Sequence, residues 1–369
     1  MDRMHIAHFT DPKWLTAEYY RCGLLQKGHV LETDYTCLNM PDSASIFLKI
    51  RQVFSHNTRS LLPDSICIKL RTGMAGMAEV AFFQLLEKFR LTGDSLMPRL
   101  LQGYDSSSDI SYLLMPDMTQ SHTILQTQQQ ACTLGTIPHD MGCIAAIGTL
   151  AHFHGQCWQP DLLEEAAPIL GRGCFWNREQ QFAVNQTLRL KEFKAFREAT
   201  QSWFPTSQLE KLEMILPTLS RLWRDNLQHR LESLQQVTIV HGDCYFRHFF
   251  YPLPDHPAPA YLFDFDQVTI QTPAYDLVQL LVSYWSPETR QEDQRESSLL
   301  RHYHATLCGT GVMNYSFQQL MMDYRVMVIL QLFAAIKEQV RGCAKPLWLN
   351  RLMCLLGAFE DLDCQQLLS

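Results

Sequence analysis

A small β island, set inside an otherwise helical half of the chain, constrains the fold more than any other feature. Val237 to Val240 is a short β-branched run. Phe249 to Tyr251 and Ala260 to Phe265 are two more, joined as a hairpin by the proline-rich stretch from Pro252 to Pro259. Ionisable side chains crowd the strand ends: His241-Gly242-Asp243 follows the first run, His248 precedes the second, and Asp264-Phe265-Asp266 closes the third. A hairpin brings its two ends together, so Asp243, His248 and Asp264 are expected to converge.

The first third of the chain reads as strands with one helix. Ser45 to Val53 is a β-like run, and Ser65 to Leu70 is another, opened by Pro63 and Asp64. Glu79 to Phe89 carries Val80, Phe83, Leu86 and Phe89 at helical spacing, and Ser111 to Met115 is a short apolar strand stopped by Pro116. The remainder is mainly helical. Asp140 to Trp158 is expected to align Ile144, Ile147, Leu150, Ala151 and His154 on one face. Ser207 with Glu210 has the form of a capping box, before a helix that Pro217 should kink. Ser286-Pro287-Glu288 and Ser316 with Gln319 mark two further helix starts. A chain of 369 residues exceeds one ordinary core, so two lobes are expected, divided near Pro116 to Thr119 into 1–117 and 118–369.

A net charge of −7 with no basic block argues against nucleic acid as a partner. No apolar leader follows Met1, and the most apolar run, Val326 to Ile336, is too short to span a bilayer and contains Gln331. These features predict a cytoplasmic protein without a membrane partner. The twelve cysteines are scattered, with no Cys-x-x-Cys pair, and read as small core hydrophobes. His152, His154 and Cys157 do not share a helix face and are not read as a metal site.

Convergent carboxylates beside a hairpin meet the needs of phosphoryl transfer. One carboxylate orients an attacking hydroxyl and takes its proton, while other ligands hold the metal that bridges the phosphates. The bland alternative makes Asp243 and Asp264 ordinary turn residues. Lys69 lies among Ile66, Cys67, Ile68 and Leu70, with Glu79 on the next helix. Such a lysine is either solvent-facing on an edge strand or buried and paired to a carboxylate, as in the nucleotide clamp of kinases.

HGDCYFRHFFY (241 to 251), LFDFD (262 to 266) and AYDLVQLL (274 to 281) resemble the aminoglycoside phosphotransferase and choline kinase superfamily, and most closely its ecdysteroid-kinase-like bacterial branch. SICIKL, AEVAFFQLL, YLLMPDMTQSHT, GTLAHFHGQCW and DYRVMVIL are similar to further family segments in the same order. The resemblance implies an α+β, protein-kinase-like two-lobed fold, with a small β-rich N-lobe and a larger, mainly helical C-lobe. It implies a kinase that transfers phosphate from ATP to a hydroxyl of a small molecule, using Mg²⁺ or Mn²⁺. Asp243 then matches the catalytic base, Asp264 a metal ligand, and Lys69 with Glu79 the nucleotide clamp. Leu114, Met115, Asp117 and Met118 match the segment whose backbone meets adenine, although Pro116 has no N–H to donate. His241 and Asp276 match residues that organise the catalytic loop.

Two departures stand out. The family pattern HGDxxxxN places a metal-holding Asn where this chain has His248. His248 is either a spacer or a ligand through a neutral ring nitrogen; a ligand would favour Mn²⁺ over Mg²⁺ and lose function below about pH 6.5. The phosphate-loop region from Val30 to Lys49 has no glycine and offers only Met40 to Ser45. The alternative function is accordingly a catalytically silent kinase-like protein that binds nucleotide or a partner. Trp158, Phe175, Trp176, Trp203 and Trp223 are candidates to line the acceptor pocket or to fill the core.

Overall fold

The computed structural model describes residues 3–38, 45–60, 62–91, 95–124, 140–173, 182–254, 256–283 and 285–368. Helices α1 (Arg3–Phe9) and α2 (Pro12–Arg21) come first, so the first third holds more than the one helix expected. Asp11 caps α2, accepting from the Lys13 and Trp14 amides. Strands β1 (Leu25–Lys27), β2 (Val30–Leu38), β3 (Ile46–Phe54), β4 (Arg59–Ser60) and β5 (Ser65–Thr72) follow, then α3 (Met74–Lys88), β6 (Leu101–Asp105) and β7 (Ile110–Pro116). Five of these strands form an antiparallel sheet in the order β2-β3-β5-β7-β6.

Alternation along β5 divides the labour of this sheet. Ile66, Ile68 and Leu70 join Phe9, Leu15 and Tyr19 in a core beneath α1 and α2. Cys67 and Lys69 therefore face the opposite side, towards α3. There Phe82, Phe83, Leu113 and Met115 belong to the second, larger core, which runs on into the helical half. The helix and this face of the sheet thus pack with the C-terminal half.

After β8 (His122–Ile124), helix α4 (Asp140–Gln156) begins the helical half. Its buried face is set by Cys143, Ala146, Ile147, Leu150, Ala151 and His154. Ile144 lies on the flank and is 40% exposed, contrary to the sequence expectation. The Ser207–Glu210 capping box does not form either. The helix Thr206–Ile215 has Pro205 at its cap with no side-chain acceptor, because the Gln208 and Leu209 amides bond the Pro205 carbonyl instead. Pro217 does break that helix, into a 3₁₀ turn at Leu216–Thr218.

The β island is present and its hairpin forms, while its first strand takes a partner the sequence did not mark. β9 (Thr238–Val240) does not join the hairpin; it pairs with β12 (Thr269–Gln271), a strand without enough apolar length to stand out in sequence. β10 (Phe249–Pro252) and β11 (Tyr261–Leu262) form the hairpin, and β8 adds to its other edge. Asp264 lies beyond β11, in the bend before β12. Helix α5 (Ala274–Leu281) follows directly, with α6 (Arg295–Gly309), α7 (Phe317–Val340) and α8 (Lys345–Asp361) completing the chain. Ser286 caps the short helix Pro287–Gln291 and Ser316 caps α7, as expected, accepting from the Thr289 and Gln319 amides. The apolar run from Val326 lies inside α7, which is longer than the run. This helix is long and apolar enough to cross a bilayer, yet 78% of its apolar window is buried inside the protein.

Candidate active site

Gly242 and Asp276 organise the loop that carries Asp243. Gly242 has φ +83°, and a Cβ there would lie 2.0 Å from the Gln267 carbonyl oxygen, so only glycine fits. Asp276, fully buried at the start of α5, accepts from the His241 amide at 2.6 Å and the Gly242 amide at 3.0 Å. Its Oδ2 also accepts from His154 Nε2 at 3.1 Å, and His154 Nδ1 accepts from the Tyr303 hydroxyl at 2.7 Å. The loop is therefore tied through α5 to α4 and α6. Gln279, one turn on, clasps it from the side: Oε1 accepts from the Cys244 amide at 2.8 Å and Nε2 donates to the Gly242 carbonyl at 3.1 Å. Those two bonds flank Asp243. A carboxylate in a helix's first turn is legible in sequence, whereas a glutamine one turn later carries no signal of its own.

Asp243 itself is one-third exposed. Arg247 Nη2 is 3.8 Å from its Oδ2. His241 links this loop to the bend that carries Asp264: Nε2 donates to the Phe263 carbonyl at 2.9 Å, and Nδ1 accepts from the Asp243 amide at 3.3 Å.

Lys69 is not on an edge strand. β5 is the middle strand of five, and Lys69 is buried. Its Nζ lies 2.9 and 2.7 Å from the two Glu79 oxygens and is bonded to Asp264 Oδ1. Glu79 Oε1 also accepts from the Phe265 amide at 2.9 Å, and the Phe265 ring stacks on Phe82. Burial alone would lower the Lys69 pKa, but Glu79 and Asp264 outweigh it and raise it. Burial likewise works against the Asp264 charge, yet Lys69 holds its carboxyl well below the usual carboxylate range. Asp264 adopts φ +72°, a left-handed conformation that aspartate tolerates. Asp266, on the far side of Phe265, pairs with Arg71; burial and the Asp264 charge push its pKa up to about 6.

His248 stands between the two aspartates. Its Nδ1 is 2.6 Å from the Asp243 carbonyl, which can only accept, so Nδ1 carries the proton. Burial pushes its pKa down to about 4 in spite of both carboxylates. The ring is therefore neutral at pH 7. Nε2 presents its lone pair to Asp264 Oδ2 across 3.6 Å. Two acceptors facing each other at that distance suit a cation between them, so this pair fits a divalent metal. Among the described residues no group of three or more His, Cys, Asp or Glu side chains is arranged around one metal position.

Lys69, Glu79 and Asp264 form one wall of a cavity of about 390 Å³, a size common for small-molecule sites. Met97, Leu113, Met115, Phe250 and Phe263 make it largely apolar. Of the residues expected to meet adenine, Met115, Asp117 and Met118 line the cavity. Leu114 does not; its side chain alternates to the other sheet face and is buried with the α1–α2 core. Pro116 also lines the cavity. The Asp117 amide bonds the Ser65 carbonyl at 3.3 Å, so the neighbouring Ile66–Pro116 pair is the non-hydrogen-bonded one of the ladder. A proline costs no ladder bond there, and its carbonyl turns away from β5. Asp117 is held by Lys49 at 2.7 Å. Of the phosphate-loop region, residues 39–44 lie outside the described residues, as do Phe175 and Trp176. Trp223 is buried, Trp158 packs on Tyr315, and Trp203 lies half-exposed beneath Lys345; these tryptophans do not form one pocket.

The profile of the ecdysteroid kinase-like family matches residues 104–311. No curated protein matches the sequence. Among solved structures, a Plasmodium vivax ethanolamine kinase superposes with a TM-score of 0.51 at 12% identity, over 88% of this chain and 82% of that one. A microcompartment-associated aminopropanol kinase gives 0.50 at 10% identity, over 90% and 92%. The fold is thus the two-lobed α+β architecture of kinase-like proteins.

Proposed function

Since the chain belongs to the ecdysteroid kinase-like family, we propose that it transfers the γ-phosphoryl group of ATP to a hydroxyl of a small-molecule acceptor. Residues 1–117 act as the nucleotide-clamping lobe, and 118–369 carry the catalytic loop and the acceptor site. The observation that supports this reading is the convergence of Asp243, His248, Asp264 and the Lys69–Glu79 pair into one run of close contacts, whose Lys69, Glu79 and Asp264 line the cavity.

The base enters the apolar cavity beside the backbone between Met115 and Met118, where the Pro116 carbonyl serves as an acceptor. Lys69, steadied by Glu79, reaches the α- and β-phosphates. Asp264 and His248 would hold a divalent ion, which would supply charge neutralisation at the phosphates. Asp243 accepts the acceptor's hydroxyl proton as its oxygen bonds phosphorus; the bond to the β-phosphate oxygen breaks and ADP leaves. Positioning and charge neutralisation supply most of the acceleration for such a loose transition state.

The test is calorimetry of the purified protein with ATP in excess Mg²⁺ and in excess Mn²⁺, followed by a screen of hydroxyl-bearing metabolites for ADP release. No ATP binding with either ion would sink the reading. Nucleotide binding without ADP release across a broad screen would favour the silent kinase-like alternative, which His248 in place of Asn and the absence of glycine between Val30 and Lys49 support.

A further inference from the structure

We propose that Arg247 is a phosphate-binding residue of this site, its guanidinium holding the nucleotide's γ-phosphate beside Asp243; the inference rests on the nucleotide reading above. Arg247 lies four positions after Asp243, in the 3₁₀ turn Phe246–His248. The shielded arginines Arg71, Arg230 and Arg290 are committed to carboxylates, Arg71 to Asp266, Arg230 to Asp323, and Arg290 to Glu296 and Asp361, whereas Arg247 is about one-third exposed. Arg247 is different. Its sole ionic neighbour among the described residues is Asp243, at 3.8 Å, which is too long for a hydrogen bond. No acceptor among the described residues takes any of its protons, and Nε is also closed off from solvent. The Nε of Arg230 and Arg290 is unpartnered in the same way, so what sets Arg247 apart is that its two terminal nitrogens donate to no carboxylate while theirs do. The Tyr245 ring, 5.6 Å from Cζ, supports the guanidinium at this position.

Its place in the cleft says which anion suits it. Lys69, Asp264, His248, Asp243 and Arg247 form a row in which each side chain lies within 4 Å of the next. The cations stand at the two ends. Lys69 is at the nucleotide end, and Arg247 is beside the base, where the transferred phosphoryl group meets its acceptor. A guanidinium offers a planar fork of donors that matches two phosphate oxygens at once. Charge spreads over the equatorial oxygens of the phosphoryl group during transfer. With no glycine between Val30 and Lys49, a side-chain fork supplies donors that a glycine-rich loop supplies through its backbone.

The test compares ATP with ADP, each in excess Mg²⁺, by calorimetry on wild type, Arg247→Met and Arg247→Lys. A γ-phosphate contact predicts that Arg247→Met loses roughly tenfold or more in ATP affinity, the usual worth of a charge-assisted bond, with ADP affinity unchanged. Arg247→Lys keeps the charge without the fork and should recover part of the loss. An unchanged ATP-to-ADP ratio in Arg247→Met, or an equal loss for both nucleotides, would overturn the inference and leave Arg247 a structural neighbour of Asp243. Should Arg247→Met fail to fold, the ratio measured on Arg247→Lys decides in the same way. Wild type that binds neither nucleotide refutes the nucleotide reading and this inference together, an outcome separate from any change confined to the variants.

Discussion

Removing Lys69 should cost more than nucleotide binding. From the sequence, Lys69→Ala is expected to weaken ATP binding and spare the fold. In the structure the ammonium is buried between Glu79 and Asp264, both within hydrogen-bond reach. Taking it away strands two carboxylates in a shielded site, and losing one partner of a buried ion pair costs about 3–5 kcal/mol. That is a large part of a typical stability of about 5–15 kcal/mol. Lys69→Met keeps most of the aliphatic volume and so isolates the charge. Urea denaturation should give a lower midpoint at unchanged slope. Adding Glu79→Gln removes one stranded charge while an amide oxygen remains for the Phe265 amide, and should restore about 1–3 kcal/mol. Wild-type stability in Lys69→Met, or a double variant less stable than the single one, would refute the argument that the clamp is a folding element as well as a binding one.

Asp243→Asn keeps the shape of the base without its proton affinity, so turnover should fall by roughly 10²–10⁴-fold, with ATP affinity nearly unchanged; steady-state kinetics alongside calorimetry reads both. If His248 ligates metal, activity should be higher in Mn²⁺ than in Mg²⁺, and His248→Asn should shift the preference towards Mg²⁺. A metal titration of the two proteins with identical preference would leave His248 a spacer. Asp117 lets a pH dependence be worked out: burial would raise its pKa, but Lys49 and Thr119 hold it down to about 2. A carboxyl depressed on folding stabilises the protein above its unfolded pKa, about 3.9, and the gain is lost as pH falls towards 2. Asp117→Asn should therefore be less stable than wild type at pH 6, and the gap should narrow below about pH 4; a pH series of urea midpoints checks this.

Local chemistry announced much of this protein in one dimension. Alternation and turn residues located β3, β5, β7 and the β10–β11 hairpin, and spaced apolar residues located α3 and α4, because periodicity reports which face of a segment meets apolar surroundings. Asp243, Asp264, Lys69 and Glu79 stood out because charged groups among apolar runs must find partners. The short strands β8 and β12 were not legible, since two or three residues have no period and are strands only through their neighbours. Neither were the N-terminal helices, whose role is to cover a sheet face belonging to residues far along the chain.

What tertiary structure decided is which charges meet and in what state. Lys69 changes from an undecided lysine into a buried cation because β5 takes the middle of the sheet. Leu114 leaves the cavity and Met115 enters it through the pleat alone. His248 becomes neutral with a set tautomer because burial removes solvent and the Asp243 carbonyl claims Nδ1. Arg247 and Gln279 gain their meaning only from the 3₁₀ turn and from α5. Sequence specifies donors, acceptors and charges, but a pKa or a pairing depends on solvent exclusion and on distances of 3 to 4 Å, and these exist only once the chain has closed on itself.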